Sequence, residues 1–484
     1  MNKKIDIFRI TFLLMILSCS FYPRLLTAED FGEKHLNIRP VSYSLDFQID
    51  YDEGRLSCEG EMTVTNSADE PADDIPLLLY RLFKLESLTD ENGKALPFQS
   101  RIVAFSDWEK LQVKFIQIPL NHPLEKDERI TFRFKYSGYL AGYTEAMRYV
   151  KDHISREYTV LRNETNAFPI IGYPSWKVNR AAGLPTFAYQ IHVTVPDDLV
   201  VANGGKLINK TVGNGLATYT YRNLKPAWRI DAAIAPYEVL DAGKNKIYHF
   251  PKDSSGARRA MGTLEKTLNL FTKWFGPLND YQGFSIIEIP DGYGSQADVT
   301  AILQEAKAFQ KQGSLTGLYH EISHKWNVDS IDPLPPRFES EGLAMFLQHL
   351  LEEHFENKSG AVEKAFTKYT DRLCRMAEKK PEYKDIPMID HGKADITDLS
   401  YTKGMLMFAI LYELVGQETF NKMMGSFYHK YLEPKATADE FVVHCKSISN
   451  IDLGRFFDDW VYGTRSWMLI CDRLTLEEMA AKYR

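Results

Sequence analysis

Cysteine is scarce and scattered in this sequence: five of 484 residues, with none of Cys19, Cys58, Cys374, Cys445 and Cys471 at C-x-x-C spacing. That excludes a zinc ribbon and a dithiol redox motif. Cys19 falls in a removable leader, and the other four read as buried or free thiols, any disulfide among them being incidental. No run of five or more Lys and Arg occurs, and the formal net charge is only -7, so the basic stripe that a nucleic-acid partner needs is missing. Internal repeats and low-complexity segments are missing too, which excludes solenoids and mucin-like stalks. The apolar stretch at residues 10–17 is too short to span a bilayer.

That stretch follows Lys3, Lys4 and Arg9 and precedes Leu26-Thr27-Ala28, a small-residue cleavage site. Residues 1–28 therefore read as a signal peptide and the chain as exported, periplasmic or secreted, with no integral span in the mature protein. Ile16-Leu17-Ser18-Cys19 is a poor lipobox because Leu17 stands where a smaller residue is usual, so simple export is favoured over a lipid anchor and, the apolar run being short, over an uncleaved signal anchor.

What is present is ordinary globular composition, 44% hydrophobic and 25% charged, in a chain too long for one small core. Two or three domains are expected. Residues 29–245 read as an all-β domain of sandwich type. Val41, Tyr43, Leu45, Phe47 and Ile49 alternate with polar residues, similar stretches recur at Arg129–Tyr136, Tyr189–Val195 and Ala217–Tyr221, and turn signals such as Asn203-Gly204-Gly205 separate them. From about residue 246 the period changes. Met261, Leu264, Leu268, Phe271 and Phe275 recur at helical spacing until Gly276-Pro277, one short strand is expected over Phe284–Ile289, and the rest, to residue 484, reads as mostly helical. The fold class is α+β, with a β domain followed by a helix-rich one.

The chemistry sits in the helical half. Leu315, Leu318, Tyr319, Ile322 and Trp326 predict a helix that contains His320-Glu321-Ile322-Ser323-His324. Two imidazoles one turn apart project from one face and can meet a single zinc about 2 Å from each ligand nitrogen. The intervening Glu321 then reaches the water that the metal activates. On its own this pentapeptide is a moderate signal, because two histidines on a core helix give the same pattern. A second helix, beginning near Arg337, carries Glu339-Ser340-Glu341-Gly342-Leu343-Ala344 and offers an acid to complete the site. His349, His354, His391, His429 and His444 have no ligand spacing to a partner and read as ordinary surface or core residues.

Glu341-Gly342-Leu343-Ala344 resembles the third-ligand segment of the gluzincin metallopeptidases of the aminopeptidase N and leukotriene hydrolase type, where a glutamate in an Asn-Glu-Gly-Phe-Ala-like stretch follows H-E-x-x-H. The resemblance implies one zinc per chain held by His320, His324 and Glu341, with Glu339, which lacks the following glycine, as the fallback ligand. The gap from His324 to Glu341 is slightly shorter than is usual there, as a trimmed loop at Asp329–Pro336 would make it. Ser400-Tyr401-Thr402-Lys403-Gly404 is similar to the family's Tyr-x-Lys-Gly segment, which gives Tyr401 the role of hydrogen-bond donor to the oxyanion. Asp452–Trp460 looks like its closing helix, and the β half like its saddle-shaped N-terminal domain. The implied fold is that saddle followed by a thermolysin-like catalytic domain over 246–484, without the large helical C-terminal domain of the longer members.

The implied activity is hydrolysis of peptide bonds, aminopeptidase-like, with Glu321 as general base. Two alternatives stay open: a peptidase or an amide or epoxide hydrolase without strict preference for a free N-terminus, and a non-catalytic binding protein on the same fold. The second of these requires a broken site, and no residue of this one is missing. The sequence departs from the family at its Gly-x-Met-Glu-Asn segment, whose glutamate binds the substrate's α-ammonium. Here Gly292-Tyr293-Gly294-Ser295-Gln296-Ala297-Asp298 puts Gln296 nearest in register. Gly294, Ser295 and Gln296 are the expected substrate-binding residues, the backbone aligning a peptide as an added strand. A neutral amide supplies no countercharge, so the preference for free N-termini is expected to be weaker, unless Asp298 or Glu305 takes over.

Overall fold

The computed structural model describes residues 31–310, 314–432 and 435–484. The signal-peptide reading of residues 1–28 lies outside these.

In strand Ile38–Asp50 the side chains of Tyr43, Leu45, Phe47 and Ile49 are buried while Ser44, Asp46, Gln48 and Asp50 face solvent, as period two requires. The strand runs antiparallel to Arg55–Asn66, with Leu45 opposite Gly60, and parallel to Ala188–Pro196, with Leu45 opposite Ile191. These three are the centre of a seven-stranded sheet. A four-stranded sheet built on Trp108–Leu124 and Ala72–Tyr80 shares a core with it, where Leu45, Phe47, Met62, Leu79, Phe115 and Tyr136 pack together. Each such side chain contributes about 1.5–3 kcal/mol by leaving water. A one-residue slip would put Asp46 and Gln48 in their place, so the register is firmly specified. This is the expected sandwich, with a small third sheet, Thr159–Leu161, Val200–Ala202 and Ala232–Ala235, on the side of the second half.

The second half contains more strand than expected. Beside Ser285–Ile289 run Asn245–His249 and Ala301–Glu305, both parallel to it; Glu238–Ala242 closes one edge of this five-stranded sheet and Gln296–Ala297 the other. The sheet thus begins at Glu238, ahead of the change of period near 246. Strands of two to five residues are too short for alternation to show, and Ser285–Ile289 and Ala301–Glu305 are buried on both faces, so no exposed polar face marks them.

Helix Ser254–Phe275 follows, burying Ala257, Leu264, Phe271 and Phe275. It stops at Gly276, whose φ of 89° only glycine adopts without strain. Helices Thr316–Ser323, Leu343–Glu356, Ala361–Lys379 and Asp398–Lys430 pack around one apolar cluster, the last interrupted at Gly416 (φ 76°). A third cluster, with Tyr158, Val160 and Ala233 from the β half and Tyr248, Ile287 and Leu303 from the other, welds the two halves along one side of a cleft.

Candidate active site

The cleft between the halves has a volume of about 1300 Å³. His320, Glu321, His324, Glu341 and Tyr401 line it from the helical half, while Tyr149, Glu164, Trp176, Trp228 and Arg229 line it from the β half.

Helix Thr316–Ser323 is shorter than its periodicity suggests. Leu318, Tyr319 and Ile322 anchor it in the core, leaving His320 toward the cleft, and from His324 to Trp326 the chain tightens into a 3-10 turn. Trp326 is buried, and its indole N–H donates to the Gly276 carbonyl (3.0 Å), pinning that turn to the end of the preceding long helix. The Nε2 atoms of His320 and His324 lie 3.1 Å apart.

Where a regular helix is expected from Arg337, the structure has a wide π-type turn, Phe338–Gly342, ahead of helix Leu343–Glu356. Arg337 enters it at φ 64°, and the turn brings Glu341 Oε2 to 3.3 Å from both imidazole Nε2 atoms. The three ligand atoms lie within 4.8 Å of one another and form the one such group among the described residues. Two imidazole nitrogens and one carboxylate oxygen converging on a point is the donor set of a zinc site that keeps a position open, so the residues fit that metal. Burial alone would raise the Glu341 carboxyl, but His320, His324 and Arg337 outweigh it and hold the group well below its ordinary range. Glu339, the fallback ligand, does not join the group. It is half-buried, one carboxylate oxygen has no partner, and desolvation pushes it up to about 7.

Tyr401 opens the long helix on the same side, its ring parallel to that of His320 at 6.4 Å between centroids. Burial and the Glu341 charge push the phenol up, with Arg337 opposing, so it stays a hydrogen-bond donor at neutral pH. Two glycines permit this closeness. A Cβ on Gly342 would stand 2.7 Å from the Gly404 Cα, and one on Gly404 would stand 2.9 Å from the Gly342 Cα. The backbones therefore cross with nothing between them. Arg337 completes the group, donating to the other Glu341 oxygen, Oε1, with its guanidinium 5.7 Å from the centre of the Tyr401 ring.

Of the three expected substrate-binding residues, Ser295 and Gln296 line the cleft. The Gly294 N–H is already committed to Glu305 Oε1 (3.1 Å), as is that of Gly292 (2.9 Å), so Glu305 clamps this loop rather than facing a substrate. Ser295 Oγ accepts from the Gln304 side chain and the Glu305 N–H. Gln296 donates to Glu164 Oε1 (2.9 Å) and accepts from Arg229 (2.8 Å). Glu164 was not among the expected residues: it lies 132 positions from Gln296, in the turn Asn163–Thr165 of the β half, and no motif marks it. Burial raises its carboxyl, but Arg229 and Arg162 win and keep it ionised. Asp298 also lines the cleft, but burial and Asp231 push it up to about 6.

The other histidines have ordinary partners. His349 pairs with Glu352, His391 with Ser400 and His444 with Ser426, while His429 meets the Phe275 carbonyl and His354 packs on Trp274.

Residues 297–460 match the model of the Peptidase family M1 domain. Aminopeptidase M1-B of Oryza sativa subsp. japonica is 23% identical over 442 residues, covering 83% of this chain and 47% of that protein. Aminopeptidase M1 of Arabidopsis thaliana is 21% identical over 314 residues, 60% of this chain and 35% of the other. The chain thus spans about half the length of the rice relative or less of these curated proteins. Among solved structures, an M1 zinc metallopeptidase from Deinococcus radiodurans superposes with a TM-score of 0.62 at 18% identity, covering 90% of this chain and 95% of that one. A mutant of that enzyme, bound to a Tyr-Ser-Ala substrate, gives 0.62 at 16% identity over 88% and 94%. The two-domain fold is shared, and the gluzincin resemblance carried by the motifs is supported.

Proposed function

We propose that this chain, with an M1 peptidase match over 297–460, is an exported zinc-dependent aminopeptidase that removes residues from the N-termini of peptides. One observation carries the reading: His320, His324 and Glu341 converge in a cleft that also presents Glu321, Tyr401 and, on the facing wall, the ionised Glu164. His320, His324 and Glu341 would hold zinc, which would supply a Lewis acid and lower the pKa of water toward neutrality.

The protein's own groups do the rest. Glu321 accepts a proton from the attacking water and returns it to the leaving amine. Tyr401 donates its O–H to the oxygen of the scissile carbonyl as negative charge develops there, an interaction made only in the transition state. Glu164 receives the substrate's α-ammonium. A carboxylate on the facing wall is the countercharge that Gln296 lacks. The edge strand Gln296–Ala297 offers its free side to the peptide backbone. The weaker preference for free N-termini, drawn from the missing glutamate, gives way to a marked one. The D. radiodurans enzyme bound to Tyr-Ser-Ala supports a short peptide as the substrate class.

Export rests on the composition of residues 1–28. No helix among the described residues is long and apolar enough to cross a membrane.

The experiment is mass-spectrometric mapping of products from a peptide library, free and N-acetylated, with zinc content measured on the same preparation. Stepwise loss of single N-terminal residues from free peptides is expected. Internal cleavage of acetylated peptides at comparable rates would exclude an aminopeptidase.

A further inference from the structure

Cys374 and Cys471 lie 97 residues apart in sequence, yet their Sγ atoms are 2.6 Å apart, inside the van der Waals contact of two sulfurs. Cys374 is on helix Ala361–Lys379 and 3% exposed; Cys471 ends the short helix Ser466–Cys471 and is more accessible. The other described cysteines have no such neighbour: Cys58 is buried in the β sandwich and Cys445 in helix Ala438–Ile448. Arg473, two residues beyond the short helix, pairs at the surface with Asp371 of helix Ala361–Lys379 at 3.5 Å.

We propose that Cys374 and Cys471 are a redox pair that closes into a disulfide, stapling the C-terminal segment to the helix Ala361–Lys379. The expectation that any disulfide would be incidental came from sequence spacing, which is blind to a contact between two distant helices. The step is thiol–disulfide exchange. Cys471, the accessible thiol, attacks a disulfide oxidant as its thiolate, forms a mixed disulfide and expels one thiol; Cys374 then attacks the Cys471 sulfur and expels the second. Two electrons and two protons pass to the oxidant, one disulfide becoming two thiols as one forms here. The order follows from the surroundings, since burial pushes the Cys374 thiol up to about 12 and leaves it little thiolate of its own.

The staple spans a long loop and leaves the cleft untouched. Its effect falls on the unfolded chain, whose freedom it restricts. The held segment runs through Trp460, whose indole donates to Tyr483, to Arg484, which pairs with Glu413 on the helix that begins with the Tyr401 turn.

The test uses the full chain, incubated natively with glutathione disulfide, alkylated, digested without reduction and mapped by mass. A peptide linking Cys374 to Cys471 is expected, with the intact protein about 2 Da lighter and Cys58 and Cys445 alkylated only after denaturation. Reduction should lower Tm by about 5 °C or more in the wild type and leave Cys471→Ser unmoved. Alkylation of both Cys374 and Cys471 after native oxidation would overturn the pair. A linked pair whose reduction leaves Tm unchanged would overturn the staple.

Discussion

The Asn327 side-chain amide lies 2.7 Å from Nδ1 of His324, and its carbonyl oxygen is buried without a partner. With that amide turned by 180°, Oδ1 accepts from Nδ1–H, and the Nε2 lone pair is left facing Glu341 and His320. Such a partner fixes the tautomer a metal ligand needs, and losing one typically costs 10–100-fold in metal affinity. Asn327→Ala should weaken zinc retention by about tenfold or more in competition with a chelator, while Asn327→Asp, which can only accept, should hold zinc at least as tightly as the parent. Equal retention by the alanine variant would remove Asn327 from the metal's support.

Glu321 and His324 separate chemistry from binding. Glu321→Gln should keep a full complement of zinc and lose about 10²–10⁴ in kcat, because an amide cannot take the water's proton. His324→Ala should lose the metal itself. Near-parental turnover by Glu321→Gln on every peptide the parent cleaves would exclude this general base.

Glu164→Gln tests the anchor. Arg229 keeps Asp231 as a partner, bonded through two nitrogens, so the wall should remain folded. The variant's kcat/KM for free peptides should fall by about tenfold or more, since a charge-assisted bond is roughly twice as strong as a neutral one. Rates on N-acetylated peptides should not change. A parallel fall for both would mean that Glu164 shapes the cleft rather than binding the amine.

Acid should weaken the fold through a residue outside the site. His391 is fully buried, bonded to Ser400 at 2.8 Å, and burial, then the nearby Lys403, pushes its imidazole down to about 3. Its folded pKa is below the unfolded value of 6.5, so unfolding takes up a proton and stability falls as pH drops from 6.5 toward 3. Lys403, also buried and pushed down to about 7, acts with the same sign over a higher window, from its ordinary 10.5 down to 7. In urea unfolding, His391→Gln should lose stability less steeply than wild type between pH 6 and 4, by up to about 1.4 kcal/mol per pH unit. Parallel slopes would mean that this imidazole titrates normally.

Local periodicity carried most of what could be read in advance. The long alternating strands and the helix before Gly276 are legible because each buries one face over many residues. The short strands beside Ser285–Ile289 are not, being only two to five residues long and, in Ala301–Glu305, buried on both faces. The same division holds at the site. His320, Glu321 and His324 share one helical turn, so their spacing is their geometry, and Glu341 and Tyr401 sit in recognisable segments. Glu164 and Asn327 were missed for different reasons. Glu164 meets Gln296 only when two halves of the chain come together, and Asn327 matters through the orientation of an amide, which composition does not encode. Arg337, in a left-handed turn that only folding reveals, was passed over as the start of a helix.

The crossing of Gly342 and Gly404 divides the labour between the walls of the cleft. One joint positions both the last metal ligand and the donor to the oxyanion, so any side chain introduced there disturbs both at once; the two functions can only be lost together. That wall has little room for gradual change. The facing wall, with Glu164, Trp176 and Trp228, shares no such joint with the metal ligands. A new preference among peptides can therefore be written by substitutions in the β half while the hydrolytic machinery stands still.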